Sequence, residues 1–293
     1  VTCTLPVAAA LRRGHPGSEV VWLVDQRFVA IAERCASIDR VVVLPKKYAE
    51  IRETIKGLGE FDAALDMQGL LKSALPVALA KAKEKLGYHW QREGSAFVTR
   101  AVRPDPTSLH IVDQYVDVAR AAGGVAERAD FDFHSKPDDE ESVRQKLAAK
   151  GWTDAPIVAI NAGAGWASKR WPVEKVAFVA DQLADAGGTP VFLGAPGDKA
   201  VFDQVAQCMT KPPLSLVGET GIGEMVGLLS LAKMHLGGDT GSTHIAAALG
   251  RPAFGTYIMT RPERSCPYGQ IDRCRTLDER EVAHAMIAEL ERC

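Results

Sequence analysis

Short apolar runs alternate along this chain with segments of helical periodicity, and the alternation occurs twice with a polar break between. Strand-like runs lie at residues 19–24, 40–44 and 61–66, and helical patterns at 4–13, 47–57, 69–81 and 110–122. A polar stretch at 122–154, with a helical pattern at 138–150, separates these from further strands near Ile157, Val191, Ser215, His235 and Ala253. Repeated strand–helix–strand units bury their sheet only when the strands run parallel with crossover helices packed against them. The expected fold class is therefore α/β. A length of 293 residues suggests about two domains, and 46% hydrophobic residues suffice for two cores.

Three strand ends carry polar, glycine-containing loops, and in open parallel sheets ligands bind at that edge. The first is Gly237-Gly238-Asp239-Thr240-Gly241-Ser242-Thr243-His244, between the strand Met234-His235-Leu236 and the helical run Ile245-Ala246-Ala247-Ala248-Leu249. A helix starting inside Gly241-Ser242-Thr243 offers backbone N–H groups without intrahelical acceptors, Gly241 leaves room for a phosphate, and Ser242 and Thr243 add hydroxyl donors. The same residues are ordinary caps, so a plain capped turn is the competing reading.

The second loop, Asn161-Ala162-Gly163-Ala164-Gly165-Trp166-Ala167-Ser168-Lys169-Arg170-Trp171-Pro172, follows the strand Ile157-Val158-Ala159-Ile160 and places Lys169 where its point charge would meet a phosphate. A solvated lysine before a Pro-started helix is the alternative. Trp166 and Trp171 either stack on a base or anchor a core. In the third loop, Gly194-Ala195-Pro196-Gly197-Asp198-Lys199, Asp198 either accepts from ribose hydroxyls or caps the next helix.

The set Ser168-Lys169-Arg170-Trp171-Pro172, Gly194-Ala195-Pro196 and Asp239-Thr240-Gly241-x-x-His244 resembles the family 9 glycosyltransferases, the bacterial lipopolysaccharide heptosyltransferases. Phe61-Asp62-Ala63-Ala64-Leu65-Asp66-Met67-Gln68-Gly69-Leu70-Leu71-Lys72-Ser73-Ala74 is similar to that family's D-x-Q-G-L-x-K-S-A segment, more in the manner of the first heptosyltransferase than of the second. The resemblance covers nearly the whole chain.

It implies two Rossmann-like domains facing across a cleft, the GT-B architecture: residues 1–150 for the acceptor and 151–293 for an ADP-sugar donor. The implied reaction is an inverting transfer of heptose from ADP-heptose, as co-substrate, to the Kdo/lipid A inner core. Donor positions are Lys169, Asp198, Asp239, Thr240, Gly241, Ser242, Thr243 and His244. On the acceptor side, among cations that include Lys81, Lys83, Lys85 and Arg92, the positions favoured are Gln68, Lys72, Arg100 and His110. The run Lys81-Ala82-Lys83-Glu84-Lys85 itself reads as an ordinary charged surface stretch. The expected first strand and its Ser-x-x-Gly-Asp loop, which carries the family's proposed general base, would precede Val1, so no catalytic residue is named within the chain.

A net charge of −2 gives no case for nucleic acid, and no run approaches the roughly 18 apolar residues of a membrane span. The expected partners are the nucleotide sugar and an anionic lipid-linked acceptor, met in the cytoplasm at the inner face of the inner membrane. Six cysteines without a C-x-x-C pair read as reduced thiols, and no Asp-x-Asp pair sits in a phosphate-facing loop to demand a metal. Two other functions use the same loops: a nucleotide-sugar 2-epimerase of this architecture, and a non-catalytic ADP-sugar binding protein.

Overall fold

The computed structural model describes residues 1–274 and 276–292 and divides into two compact units, one spanning Val1–Phe133 and one beginning at His134. The first unit contains, in order, α1 (Leu5–Gly14), β1 (Val21–Val24), α2 (Val29–Ala32), β2 (Arg40–Val43), α3 (Tyr48–Gly57), β3 (Glu60–Asp66), α4 (Leu71–Leu79), β4 (Lys81–Tyr88), β5 (Arg100–Val102) and α5 (Ile111–Ala121). Pro6 sits in the first turn of α1, where its missing N–H costs nothing, and the buried run from Leu5 to Ala10 packs α1 against α5. Among the described residues the strands form two separate parallel sheets, β1–β2 and β3–β4–β5. Val7 and Ala10 of α1 and Ala119 of α5 make an apolar cluster that takes in Trp22 from β1 and Leu65 from β3.

The second unit contains α6 (Pro137–Ala149), β6 (Ile157–Asn161), α7 (Val173–Asp185), β7 (Thr189–Phe192), α8 (Lys199–Cys208), β8 (Leu214–Ser215), α9 (Ile222–Leu231), β9 (Met234–Gly237), α10 (Gly241–Ala248), β10 (Ala253–Gly255), α11 (Pro262–Ser265) and α12 (Glu279–Glu291). Its five strands are parallel in the order β10-β9-β6-β7-β8. The chain thus runs outward from β6 in one direction, then returns to lay β9 and β10 on the other side. That reversal places the crevice of an α/β sheet between the C-terminal ends of β6 and β9, where Asn161 pairs with Gly237. Ile160, Leu183, Phe192, Met234, Leu236 and Met286 are at most 2% exposed and form one core, each contributing roughly 1.5–3 kcal/mol relative to exposure.

Two features differ from the pattern read in the sequence. The helix expected to reach residue 81 ends at Leu79, and the charged run 81–85 opens β4, the middle strand of its sheet. Only Leu86, Gly87 and Tyr88 are buried in that strand, while Lys83 pairs with Asp62 at 2.6 Å and Lys81 with Glu60 at 3.5 Å across β3. Charge pairing along the exposed first half of β3 and β4 therefore hides the strand signal, and the three-residue β5 is too short to give one. The first unit also ends at Phe133 rather than at 150. The reason is α6, which packs on α9 so closely that a Cβ on Gly227 would lie 2.8 Å from the Asp139 backbone. Ser142 donates to Glu224 at 2.6 Å and Ser230 to Glu140 at 2.8 Å across the same seam.

Candidate functional site

The loop after β6 and the loop after β9 are tied together by polar side chains. Asn161, the last residue of β6, donates from Nδ2 to Ser242 Oγ at 2.9 Å and accepts the Gly163 N–H on Oδ1 at 2.9 Å. Lys169 Nζ meets Asp239 Oδ2 at 3.0 Å, and His244 Nε2 lies 3.4 Å from the other oxygen of the same carboxylate. Burial by itself would raise the Asp239 pKa. The hydrogen bonds from His244 and then Lys169 outweigh it and bring the carboxyl down to about 2, so Asp239 is ionised at neutral pH.

Helix α10 begins without a side-chain cap on its first-turn N–H groups. Gly241 is exposed with nothing within 4 Å of the position a Cβ would take, so the approach to the helix start is open. An uncapped helix start with free approach favours an anion, by about 0.3–2 kcal/mol from the helix alone. Thr240 Oγ1 lies 2.9 Å from Ser242 Oγ and 3.3 Å from Thr243 Oγ1. Thr243 differs from expectation. Its side chain is fully buried and donates to Gly238 O at 2.7 Å, which leaves only its backbone N–H for a ligand.

Beneath this turn lies His235, which the sequence pattern did not mark because its position reads as the middle of an apolar strand. It is 0% exposed, with Nδ1 2.9 Å from Ala159 O and Nε2 3.2 Å from Thr243 Oγ1. A carbonyl only accepts, so Nδ1 carries the proton. Burial pushes the imidazole pKa down to about 4, only partly offset by that hydrogen bond, and His235 is neutral at physiological pH.

Asp198 is placed by its local turn: Oδ2 accepts the Ala195 N–H at 2.9 Å. Its carboxyl also packs onto Gly163, where a Cβ would fall 2.4 Å from Cγ, so the loops after β6 and β7 meet there. Of the two tryptophans, Trp171 is a core residue at 5% exposure, whereas Trp166 is 73% exposed. Asn161, Gly163, Lys169, Arg170, Gly238 and Thr256 line a small crevice, into whose wall Arg170 places an Nε that is buried without a hydrogen-bond partner.

In the first unit, the C-terminal ends of β3, β4 and β5 share one sheet edge through the pairs Asp66 with Gly87 and Tyr88 with Val102. Gln68 and Lys72 follow β3 and are exposed, Arg100 is exposed at the start of β5, and His110 is buried as the N-cap of α5, accepting Val112 N–H on Nδ1 at 3.2 Å. The fixed point of this edge is Asp66, which is 2% exposed and accepts the Gln68 and Gly69 N–H groups at 2.9 and 3.0 Å. Its Oδ2 is buried without a partner.

Among the described residues no cluster of three His, Cys, Asp or Glu side chains has a metal-holding arrangement, and no helix is long and apolar enough to cross a membrane. Cys3, Cys35, Cys208, Cys266 and Cys274 are free thiols; Cys293 lies outside the described residues.

A family model described as "Glycosyltransferase family 9 (heptosyltransferase)" matches residues 50–290. Lipopolysaccharide heptosyltransferase 1 of Escherichia coli K12 is 29% identical over 292 residues, covering 91% of this chain and 86% of that protein. A glycosyl transferase family 9 structure from Veillonella parvula superposes with a TM-score of 0.85 at 20% identity, covering 99% of this chain and 93% of that one. An E. coli heptosyltransferase solved with ADP superposes with a TM-score of 0.74 at 23% identity, covering 98% and 95%.

Proposed function

The chain belongs to glycosyltransferase family 9, the heptosyltransferases, and from that premise we propose that it transfers heptose from ADP-heptose to the inner core of lipopolysaccharide, with the donor held by its second unit. The observation that carries the donor assignment is the crevice between β6 and β9, where Lys169, Asp239, Ser242 and an uncapped α10 converge. The diphosphate sits against the N–H groups of Gly241, Ser242 and Thr243. Lys169 turns from Asp239 toward the phosphate oxygens and stabilises the charge that grows on the leaving ADP. Asp239 and His244 hold Lys169 in register, Thr240 offers a hydroxyl at the rim, the buried Ser242 ties the helix start to Asn161, and Asp198 lies on the side of the nucleoside.

The first unit takes the acceptor, a phosphorylated, lipid-linked sugar, at the edge carrying Gln68, Lys72, Arg100 and His110. Exposed Lys72 and Arg100 suit its negative charge. The reaction takes place in the cytoplasm, at the inner face of the inner membrane, and needs no bound metal.

Calorimetric titration with ADP, ADP-heptose and UDP, in EDTA and then with Mg²⁺, tests the donor site. Selective, metal-independent binding of the two ADP compounds is expected. A preference for UDP would transfer the site to another class of nucleotide-sugar enzyme, and no binding by the folded chain would sink the crevice assignment.

A further inference from the structure

In the first unit, the loops that follow β3 and β4 are locked into one rigid surface by Gly69. This residue has φ +68°, and a Cβ there would lie 2.4 Å from Trp90 O. Its carbonyl accepts the Arg92 N–H at 2.8 Å and the Ser95 hydroxyl at 2.9 Å, while its own N–H is held by Asp66. The Leu71 N–H reaches Glu93 Oε2 at 3.3 Å, a second tie between the same two loops.

Along these two loops Leu71, Trp90 and Phe97 are exposed, at 56%, 53% and 95%. Large apolar side chains left in water on well-ordered loops mark an interaction surface, and these three are bordered by cations. The Arg92 guanidinium lies 5.4 Å from the Trp90 ring, and Lys72 and Arg100 are exposed on the adjoining segments. Of the acidic side chains tied into the lock, Asp66 is buried and Glu93 is spent on the Leu71 N–H.

We propose that this face docks the protein on an anionic lipid bilayer, with Phe97, Trp90 and Leu71 entering the headgroup layer and Arg92, Lys72 and Arg100 meeting lipid phosphates. Aromatic rings settle at the water–lipid boundary, and basic residues around them add attraction for anionic headgroups that salt screens. The proposal rests on the reading above, because an enzyme whose acceptor is anchored in lipid gains by holding its acceptor edge at the bilayer surface.

The test is sedimentation of the full chain with vesicles of phosphatidylglycerol and phosphatidylethanolamine, against vesicles of phosphatidylcholine alone. Binding is expected to the anionic vesicles only and to weaken with salt. Phe97→Ser combined with Leu71→Ser is expected to lower it about ten-fold, while the thermal unfolding midpoint and ADP affinity stay unchanged. Arg92→Gln, which leaves the apolar residues in place, is expected to weaken binding and flatten its salt dependence. Equal binding to both kinds of vesicle, no binding to either, or undiminished binding by the double variant would overturn the proposal; a protein partner would then be the better occupant. The donor-site reading fails separately, since a chain that sediments with anionic vesicles but does not bind ADP would lose that site and keep this face.

Discussion

The ammonium of Lys169 and the carboxylate of Asp239 meet at 3.0 Å, so the cation assigned to the diphosphate is already compensated before any anion arrives. Binding a phosphate there is an exchange of partners. Lys169→Ala is expected to weaken ADP binding by about 1.5–3 kcal/mol, the range for a hydrogen bond to a charged group. Asp239→Ala is expected to weaken it less, through lost positioning of Lys169 and His244. The double variant should fall short of the sum by at least about 0.5 kcal/mol, as contacting residues do. Strict additivity in calorimetric titration would mean that the pair does not act as one unit.

His235 makes stability depend on pH. Its folded pKa of about 4 lies below the ordinary histidine value near 6.5, so the unfolded chain binds the extra proton between those values. Stability is complete above pH ~6.5 and is expected to fall by about 3 kcal/mol as the pH drops through 4. Asp239, held at about 2, adds a smaller loss on further acidification, because its unfolded carboxyl takes up a proton first. Urea unfolding at pH 7 and pH 4.5 should show a shallower pH dependence for His235→Gln than for the unaltered chain; parallel slopes would contradict the buried neutral imidazole.

Thr243→Val keeps the shape of the side chain and removes its hydroxyl. Gly238 O then loses a buried donor, and His235 Nε2 loses its neighbour. A cost of about 1–3 kcal/mol in thermal unfolding is expected. ADP affinity should change by less than that, since the hydroxyl is spent on Gly238 O; a larger loss of affinity than of stability would place the hydroxyl in the site.

Gly163→Ala and Gly69→Ala probe two close approaches of different kinds. The first meets the Asp198 side chain and the second the Trp90 backbone, each at 2.4 Å. A side chain yields more readily than a main chain, and only Gly69 has φ in the left-handed region. Gly163→Ala should cost about 1–3 kcal/mol, and Gly69→Ala more. The reverse order in melting temperature would show that the Asp198 turn is the stiffer of the two.

Much of the second unit was legible because its strands are short apolar runs followed by polar, glycine-containing loops, and spacing put Lys169, Asp239 and Ser242 in those loops. What the sequence left open was direction. Nothing in it tells that Thr243 turns inward while Ser242 stays beside Asn161, since both are small hydroxyl residues in the same helical turn. His235 was hidden by its apolar neighbours, and Asn161 by its place in a long polar loop. The first unit was harder: β4 opens with the charged run 81–85, in which Lys81 and Lys83 pair with Glu60 and Asp62 of β3, a compensation that exists only once the sheet has formed. The end of that unit was misjudged for a related reason, because the polar sequence of α6 conceals the serine and glutamate contacts that bind it to α9.

The arrangement of the strands also fixes where deuterium enters the backbone first. β6 has a partner on each side, so its amides find acceptors in both β7 and β9 and exchange only when the second unit opens as a whole. β10 and β8, at the two margins of the same sheet, each have a partner on one side alone. In an exchange experiment label should therefore enter this sheet from β8 and β10 inward and reach β6 last.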